Sequence, residues 1–197
     1  MLIFICVVVL LCMLALWLVA IYNQLVTLQA QYRNSFAQID VQLRRRHDLI
    51  PNLVETVKGY LRHESTTLTT VIEARNTAMS VLKLASAHPG QSSSMQQLAQ
   101  AENQLTRALG SLNVQLEAYP DLKANETVRA LFEELTATEN RVAFARQAFN
   151  DGVTSYNIYR RLFPNILVAS RIGHTMDASL LEMDEVPLQQ APVISLT

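Results

Sequence analysis

Cysteine is nearly absent. Cys6 and Cys12 are the whole supply, and both lie in the apolar N-terminus, so no disulfide can staple the remainder of the chain. Glycine (5) and proline (6) are scarce, and aromatic residues make up 7% of the composition. Alanine, leucine, glutamine and glutamate fill their place; these lose little entropy in a helix, and an all-α chain is expected. Net charge is −1, which argues against nucleic acid as the main partner, because such domains are usually clearly basic. No Gly-rich phosphate loop occurs. His63-Glu64 is followed by Ser-Thr-Thr, so the zincin spacing is missing, and no Glu stands three residues before a His as in di-iron bundles. His47, His63, His88 and His174 are scattered and are expected mostly at solvated positions. No catalytic, metal-ligating or cofactor-binding residue is expected, which leaves a carboxylate–metal enzyme as a remote alternative.

Charge is also missing where the chain begins. No charged side chain precedes Arg33, and residues 2–21, from Leu2 to Ile21, are almost wholly apolar. About 20 such residues let a helix cross a bilayer core of roughly 30 Å. Trp17 and Tyr22 stand towards the far end of the run, where amphipathic rings favour the interface. A cleaved signal peptide would need a basic start and a shorter core. A lipoprotein site fails because Leu11 precedes Cys12. The expected unit is a single-pass anchor over 1–22. Arg33 and the Arg44–Arg46 cluster follow it, so the positive-inside rule leans towards a cytosolic body.

After the anchor the helix has no reason to stop. Leu25, Leu28, Tyr32, Phe36, Ile39 and Leu43 are spaced 3, 4, 4, 3 and 4 apart, a coiled-coil-like seam. Pro51 then removes a backbone donor and restricts Ile50. Two outcomes fit: a tight turn between antiparallel helices, with Asp48 capping the next, or a kink in one long helix. The turn is favoured, because it gives the following apolar face a near partner. A second helix is expected over about 52–85. His88-Pro89-Gly90 and the serines after it form a loop, and Ser94 with Gln97 a capping box for a third helix. Asn125 is the expected cap of a fourth, running to about Phe163. The expected architecture is an antiparallel, up-and-down four-helix bundle over 23–165. Of the remaining 166–197, residues 166–172 could lie along the interface, and the acidic tail from Met176 should be extended and mobile.

The densest mixture of charge and apolar periodicity is IDVQLRRRHDLIPNLVETVKGY, residues 39–60. Asp40, Arg44, Arg45, Arg46, His47, Asp48, Pro51 and Asn52 mark it. Its basic cluster admits three readings: a solvated patch, which is favoured; salt bridges within or between subunits; and contact with anionic lipid. At 1.5 Å per residue the cluster stands roughly 30 Å or more beyond the anchor, against a Debye length of about 8 Å. Lipid contact therefore requires the helix to lie down.

This run, together with YNQLVTLQAQYRNSFAQ before it, VIEARN at 71–76, ENRVAFARQAFNDGVTSYNIY at 139–159 and LFPN at 162–165, resembles the LemA family of bacterial membrane-anchored proteins. The resemblance implies a transmembrane helix followed by an antiparallel helical bundle at the bacterial inner membrane, and it carries no reaction with it. Residues 166 onward depart from the glycine- and phenylalanine-rich tail of the family. Glu64 and Arg75 fall close to the apolar register of the second helix, and Arg141 and Arg146 lie on or near the seam of the fourth with Asn140, Asn150 and Asn157 nearby. Their recurrence in the family, which the resemblance implies, makes the seven a candidate buried network between the second and fourth helices. The competing reading is that the long side chains snorkel to water. The function expected is a non-enzymatic scaffold or adaptor contacting the lipid bilayer and an unidentified protein partner. If the fourth helix fails to cover the Leu25–Leu43 seam, other copies must, which predicts a homo-oligomer. A signalling or envelope-stress-sensing subunit working through a Pro51 hinge is the alternative.

Overall fold

The computed structural model describes residues 1–61, 65–123 and 125–184. Among these, every regular element is helical: α1 (Leu2–Lys58), α2 (Ser65–Ala87), α3 (Ser92–Leu116), the single turn α4 (Pro120–Lys123), α5 (Glu126–Arg161) and α6 (Asn165–Ala169). α1 packs chiefly along α5 and α2 along α3, and α1 also meets α2. This is the expected all-α bundle on a long N-terminal helix.

α1 has two parts with opposite surfaces. Up to Ala20 every side chain is exposed and nearly all are apolar. From Ile21 onward the seam is buried: Leu25, Tyr32, Phe36, Ile39 and Leu43 enter the core. α5 covers it. Tyr32 and Phe36 stack edge-on against Phe149 and Tyr156 with ring centroids 5.4–6.1 Å apart, a geometry that suits the ring quadrupoles. Gly152 lets the two backbones approach here: a Cβ on it would sit 3.1 Å from Tyr32 Cβ and 3.2 Å from Tyr32 Cα. The seam therefore needs no second copy to bury it.

The favoured turn at Pro51 does not form. α1 continues through Pro51 to Lys58, so Asp48 caps nothing and Asn52 lies in mid-helix. The second helix starts at Ser65 rather than near Asn52. The apolar register explains this, since Ile50, Leu53 and Val57 are all fully buried on the same stripe as Leu43. Burying those side chains outweighs the proline penalty. The expected capping box at Ser94 is also displaced: α3 begins at Ser92, with Gln91 at the cap position and no side-chain bond. Asn125 does cap α5, accepting from the N–H groups of Thr127 and Val128.

Beyond α6 the chain turns back. Gly173 holds φ +93, a region that favours glycine. Residues 174–184 then run extended along the bundle, with Ala178 and Leu181 buried in the core. The tail from Met176 was expected to be mobile, yet as far as Asp184 it is packed. Main-chain hydrogen bonds to α5 hold it, as described below.

Candidate functional site

Two apolar clusters fill the bundle, and a polar layer parts them. The cluster nearer the apolar part of α1 ends at Leu43 on α1, Ala99 on α3 and Val142 on α5. The far cluster resumes at Ile50, Ala101 and Leu135. Between them the α1 stripe carries Arg46 and His47, 4% and 1% exposed, and α3 carries Glu102, 1% exposed. Arg46 Nη1 donates to Glu102 Oε2 at 3.1 Å. Its Nη2 donates to Thr106 Oγ1 and to Glu139 Oε1, both at 2.8 Å. His47 Nε2 lies 2.8 Å from the other Glu102 oxygen. One carboxylate thus holds two neighbouring α1 side chains, and one guanidinium joins α1, α3 and α5.

Taking these charges out of water costs several kcal/mol per ion, which only good mutual geometry repays. Such a layer adds little net stability but penalises any axial slip, because a one-turn shift would bury Arg46 against apolar side chains. Arg46 Nε and His47 Nδ1 are also buried and have no hydrogen-bond partner among the described residues. The two cysteines, Cys6 and Cys12, lie in the apolar start of α1, and the hydroxyl of the layer, Thr106 Oγ1, accepts from Arg46. Among the described residues, no three His, Cys, Asp or Glu side chains converge as metal ligands would.

Pro51 is linked to this layer through the backbone. A proline has no N–H for the carbonyl four residues earlier, and that carbonyl belongs to His47. Arg75 of α2 supplies the missing donor: its Nε bonds the His47 carbonyl oxygen at 3.0 Å. Its Nη2 lies 3.9 Å from Asp48. Arg75 therefore belongs to an α1–α2 contact, not to a network reaching α5.

The rest of the basic cluster is paired within the chain. Arg44 grips Asp40 through Nε at 2.8 Å and Nη2 at 3.1 Å, and Ser86 Oγ donates to Asp40 at 2.7 Å. Partial burial works to raise the Asp40 pKa, but the Arg44 and Ser86 hydrogen bonds outweigh it and hold the carboxyl below the usual range. Arg45 meets Glu134 at 2.5 Å. The favoured reading of a solvated patch is replaced: Arg46 is a buried ion, and Arg44 and Arg45 are exposed partners of Asp40 and Glu134. His47 and His174 are likewise buried, whereas His88 is exposed.

Three members of the expected α2–α5 network converge elsewhere, on the extended tail. Asn150 Nδ2 donates to the Leu181 carbonyl at 3.2 Å and its Oδ1 accepts from the Leu181 N–H at 2.9 Å. Asn157 does the same to Ala178, at 2.8 and 2.9 Å. Arg146 donates to the Met183 carbonyl at 2.9 Å. From the other side, the Gly90 carbonyl accepts from Ser179 N–H at 2.7 Å, and Asn103 Oδ1 from Asp184 N–H at 3.1 Å. At the head of this strap Tyr156 Oη and His174 Nδ1 are 2.9 Å apart, and Asp177 pairs with Arg160 and Arg161. The Arg161 hydrogen bond is the main cause holding the Asp177 carboxyl below its usual range. The α3–α5 side, where the helix backbones do not approach closely, is filled by this strap.

The other expected members separate. Asn140 is exposed, Arg141 reaches Glu134 at 3.4 Å, and Glu64 lies outside the described residues. The one-network expectation fails because these α5 residues face a third element, the strap, which the sequence had left free. Glu102, Thr106, Glu139 and His174 were missed. Glu102 left a usable signal: Leu98, Glu102, Leu105 and Leu109 are spaced 4, 3 and 4, which puts a carboxylate on the α3 seam.

Comparison with known proteins agrees with this architecture. The LemA protein of Metamycoplasma hominis is 25% identical over 135 residues, covering 68% of this chain and 57% of its own length. The magnetosome protein MamQ of Magnetospirillum gryphiswaldense is 24% identical over 152 residues, covering 70% of this chain and 56% of its own. The chain thus spans under six-tenths of the length of these relatives. The LemA family model matches residues 35–196, a stretch that takes in the polar layer and the strap, and the chain belongs to the LemA family.

Proposed function

We propose that this protein is a non-enzymatic scaffold, a rigid helical body carried on a membrane-spanning helix of which it is a continuation. The observation that carries this is the change of surface along the unbroken α1. Its first third, to Ala20, is apolar and exposed, while the remainder is a central strut of the body. Exposed apolar side chains over a full bilayer thickness are costly in water and stable in lipid. From Ile21 to Lys58 the strut is roughly 55 Å long, so the far end of the bundle is held well clear of the bilayer. The polar layer and the Arg75 contact tie the helices of the body to one another.

Alkaline washing of membranes that contain the full chain tests the anchor. The chain should stay in the pellet, and replacing Leu10 and Leu14 with Arg, at a cost of several kcal/mol in the bilayer centre, should release it folded. Release of the unsubstituted chain would sink the reading.

A second contact with the bilayer is favoured by the apolar turn between α5 and α6. Leu162, Phe163, Ile166 and Leu167 are all exposed, Phe163 at 82%, while Ala169 packs in the same cluster as Ile21 at the end of the apolar segment. Four exposed apolar side chains beside Ile21, the end of the apolar segment, support this contact. With Phe163→Trp in a Trp17→Phe background, lipids brominated near the headgroup should quench the fluorescence. Unquenched, water-exposed emission would rule the contact out.

A further inference from the structure

We propose that the cleft between α3 and α5 is a binding site for an extended polypeptide, and that besides its own residues 174–184 it takes the same segment of a second copy of this chain.

The recognition in the cleft is of a particular kind. Asn150 and Asn157, seven residues apart on α5, each present an amide that donates to a carbonyl and accepts from the N–H of one strap residue. Arg146, Asn103 and the Gly90 carbonyl add three more bonds, again to main chain. A strand added to a sheet is likewise read through its backbone. The side-chain contribution comes from Leu181, fully buried, and Ala178. Gly90 makes room for Ala178, since a Cβ on it would lie 3.1 Å from the Ala178 Cβ. α3 and α5 scarcely touch there, so the strap occupies a built cleft between two separately supported helices.

The identical segment of a neighbouring copy satisfies every one of these contacts. The exchanged unit begins after Gly173, whose positive φ marks the turn into the strap. It brings its own His174 and Asp177 to the acceptor's Tyr156, Arg160 and Arg161. Copies held by the same α1 anchor stand at one height above the membrane, so strap and cleft of neighbours face each other at the same level. Confinement of this sort raises effective concentration without adding a contact. The matched height rests on the membrane-anchored reading; a failure of that reading shows in the alkaline wash, and a failure of exchange in the cross-linking below.

The test uses the full chain in bilayer nanodiscs large enough for several copies, with Cys6 and Cys12 replaced by Ser. One population carries Asn103→Cys and the other Asp184→Cys, positions in contact across the cleft, and a short bis-maleimide joins them. A chain with both cysteines should cross-link within itself. The mixed single variants should give a dimer band well above that from Val114→Cys, an exposed position on α3, mixed with Asp184→Cys. Adding Leu181→Asp to the Asn103→Cys chain empties its own cleft and should raise the dimer several-fold; adding it to the Asp184→Cys chain should abolish it. Circular dichroism confirms that each variant keeps its helices. Intrachain product without dimer, dimer no greater than the Val114→Cys control, or indifference to Leu181→Asp on both chains would each overturn the proposal.

Discussion

Removing Arg75 should cost more when residue 51 is proline than when it is alanine. The carbonyl of His47 has lost its helical donor to Pro51 and regained one from Arg75 at 3.0 Å. A hydrogen bond from a charged donor contributes about 1.5–3 kcal/mol, so Arg75→Ala should destabilise the bundle by about that much. Pro51→Ala restores an N–H in line with the His47 carbonyl and relieves an interior-proline cost of about 3 kcal/mol; alone it should be neutral or stabilising. In the double variant the carbonyl is satisfied again within the helix, and Arg75→Ala should cost only roughly 0.5–1 kcal/mol, from its weaker contacts with Asp48 and Asn76. The coupling is therefore roughly 0.5–2.5 kcal/mol, centred near 1.5. Urea unfolding followed by far-UV circular dichroism, in mild detergent, measures all four corners of the cycle. Additivity within about 0.5 kcal/mol, the usual result for independent sites, would refute the claim that Arg75 repairs the proline defect. A Pro51→Ala variant that loses its helices would refute it too.

Other outcomes follow from the same contacts. Glu102→Ala leaves two buried side chains, Arg46 and His47, without their shared carboxylate and should cost about 3–5 kcal/mol, whereas Arg44→Ala, an exposed pair with Asp40, should cost under about 1 kcal/mol; denaturant titration separates the two. Strap retention should weaken in mild acid. Burial, then the Arg160 and Arg33 guanidiniums, hold the His174 imidazole below its usual 6.5, so the unfolded state takes up the proton first and stability falls as pH drops below about 6.5. Amide-exchange protection at Ala178 and Leu181, corrected for intrinsic rates, should decline between about pH 7.5 and 5.5 and should decline less in His174→Asn.

The sequence made the long elements legible because periodicity is a local property. The Leu25–Leu43 spacing, the Asn125 cap and the breakers at 88–90 each specify backbone from neighbouring residues alone, although the loop expected over 88–93 ends at Gln91, where α3 takes over. What it hid depends on contacts between distant segments. Pro51 reads locally as a break, and only Arg75 arriving from another helix, with Ile50 and Leu53 buried on either side, keeps α1 continuous. Arg46 reads as one of three exposed arginines until Glu102 and Glu139, 56 and 93 residues away, converge on it. The asparagines of α5 were visible as polar intrusions on an apolar stripe, but their ligand was the main chain of the tail, which composition marks as free. A carbonyl leaves no trace in side-chain patterning.

The central claim is that membrane helix and body form one rigid rod. Spin labels at Leu16→Cys and Val41→Cys, exposed positions on either side of the membrane boundary in a chain lacking Cys6 and Cys12, measure it directly by pulsed electron resonance in nanodiscs. The 25 intervening steps of an unbroken helix place the two backbones roughly 38 Å apart, and a narrow distribution near that value is the predicted result. A broad distribution, or one centred well below it, would mean a hinge where α1 leaves the bilayer and would contradict the account.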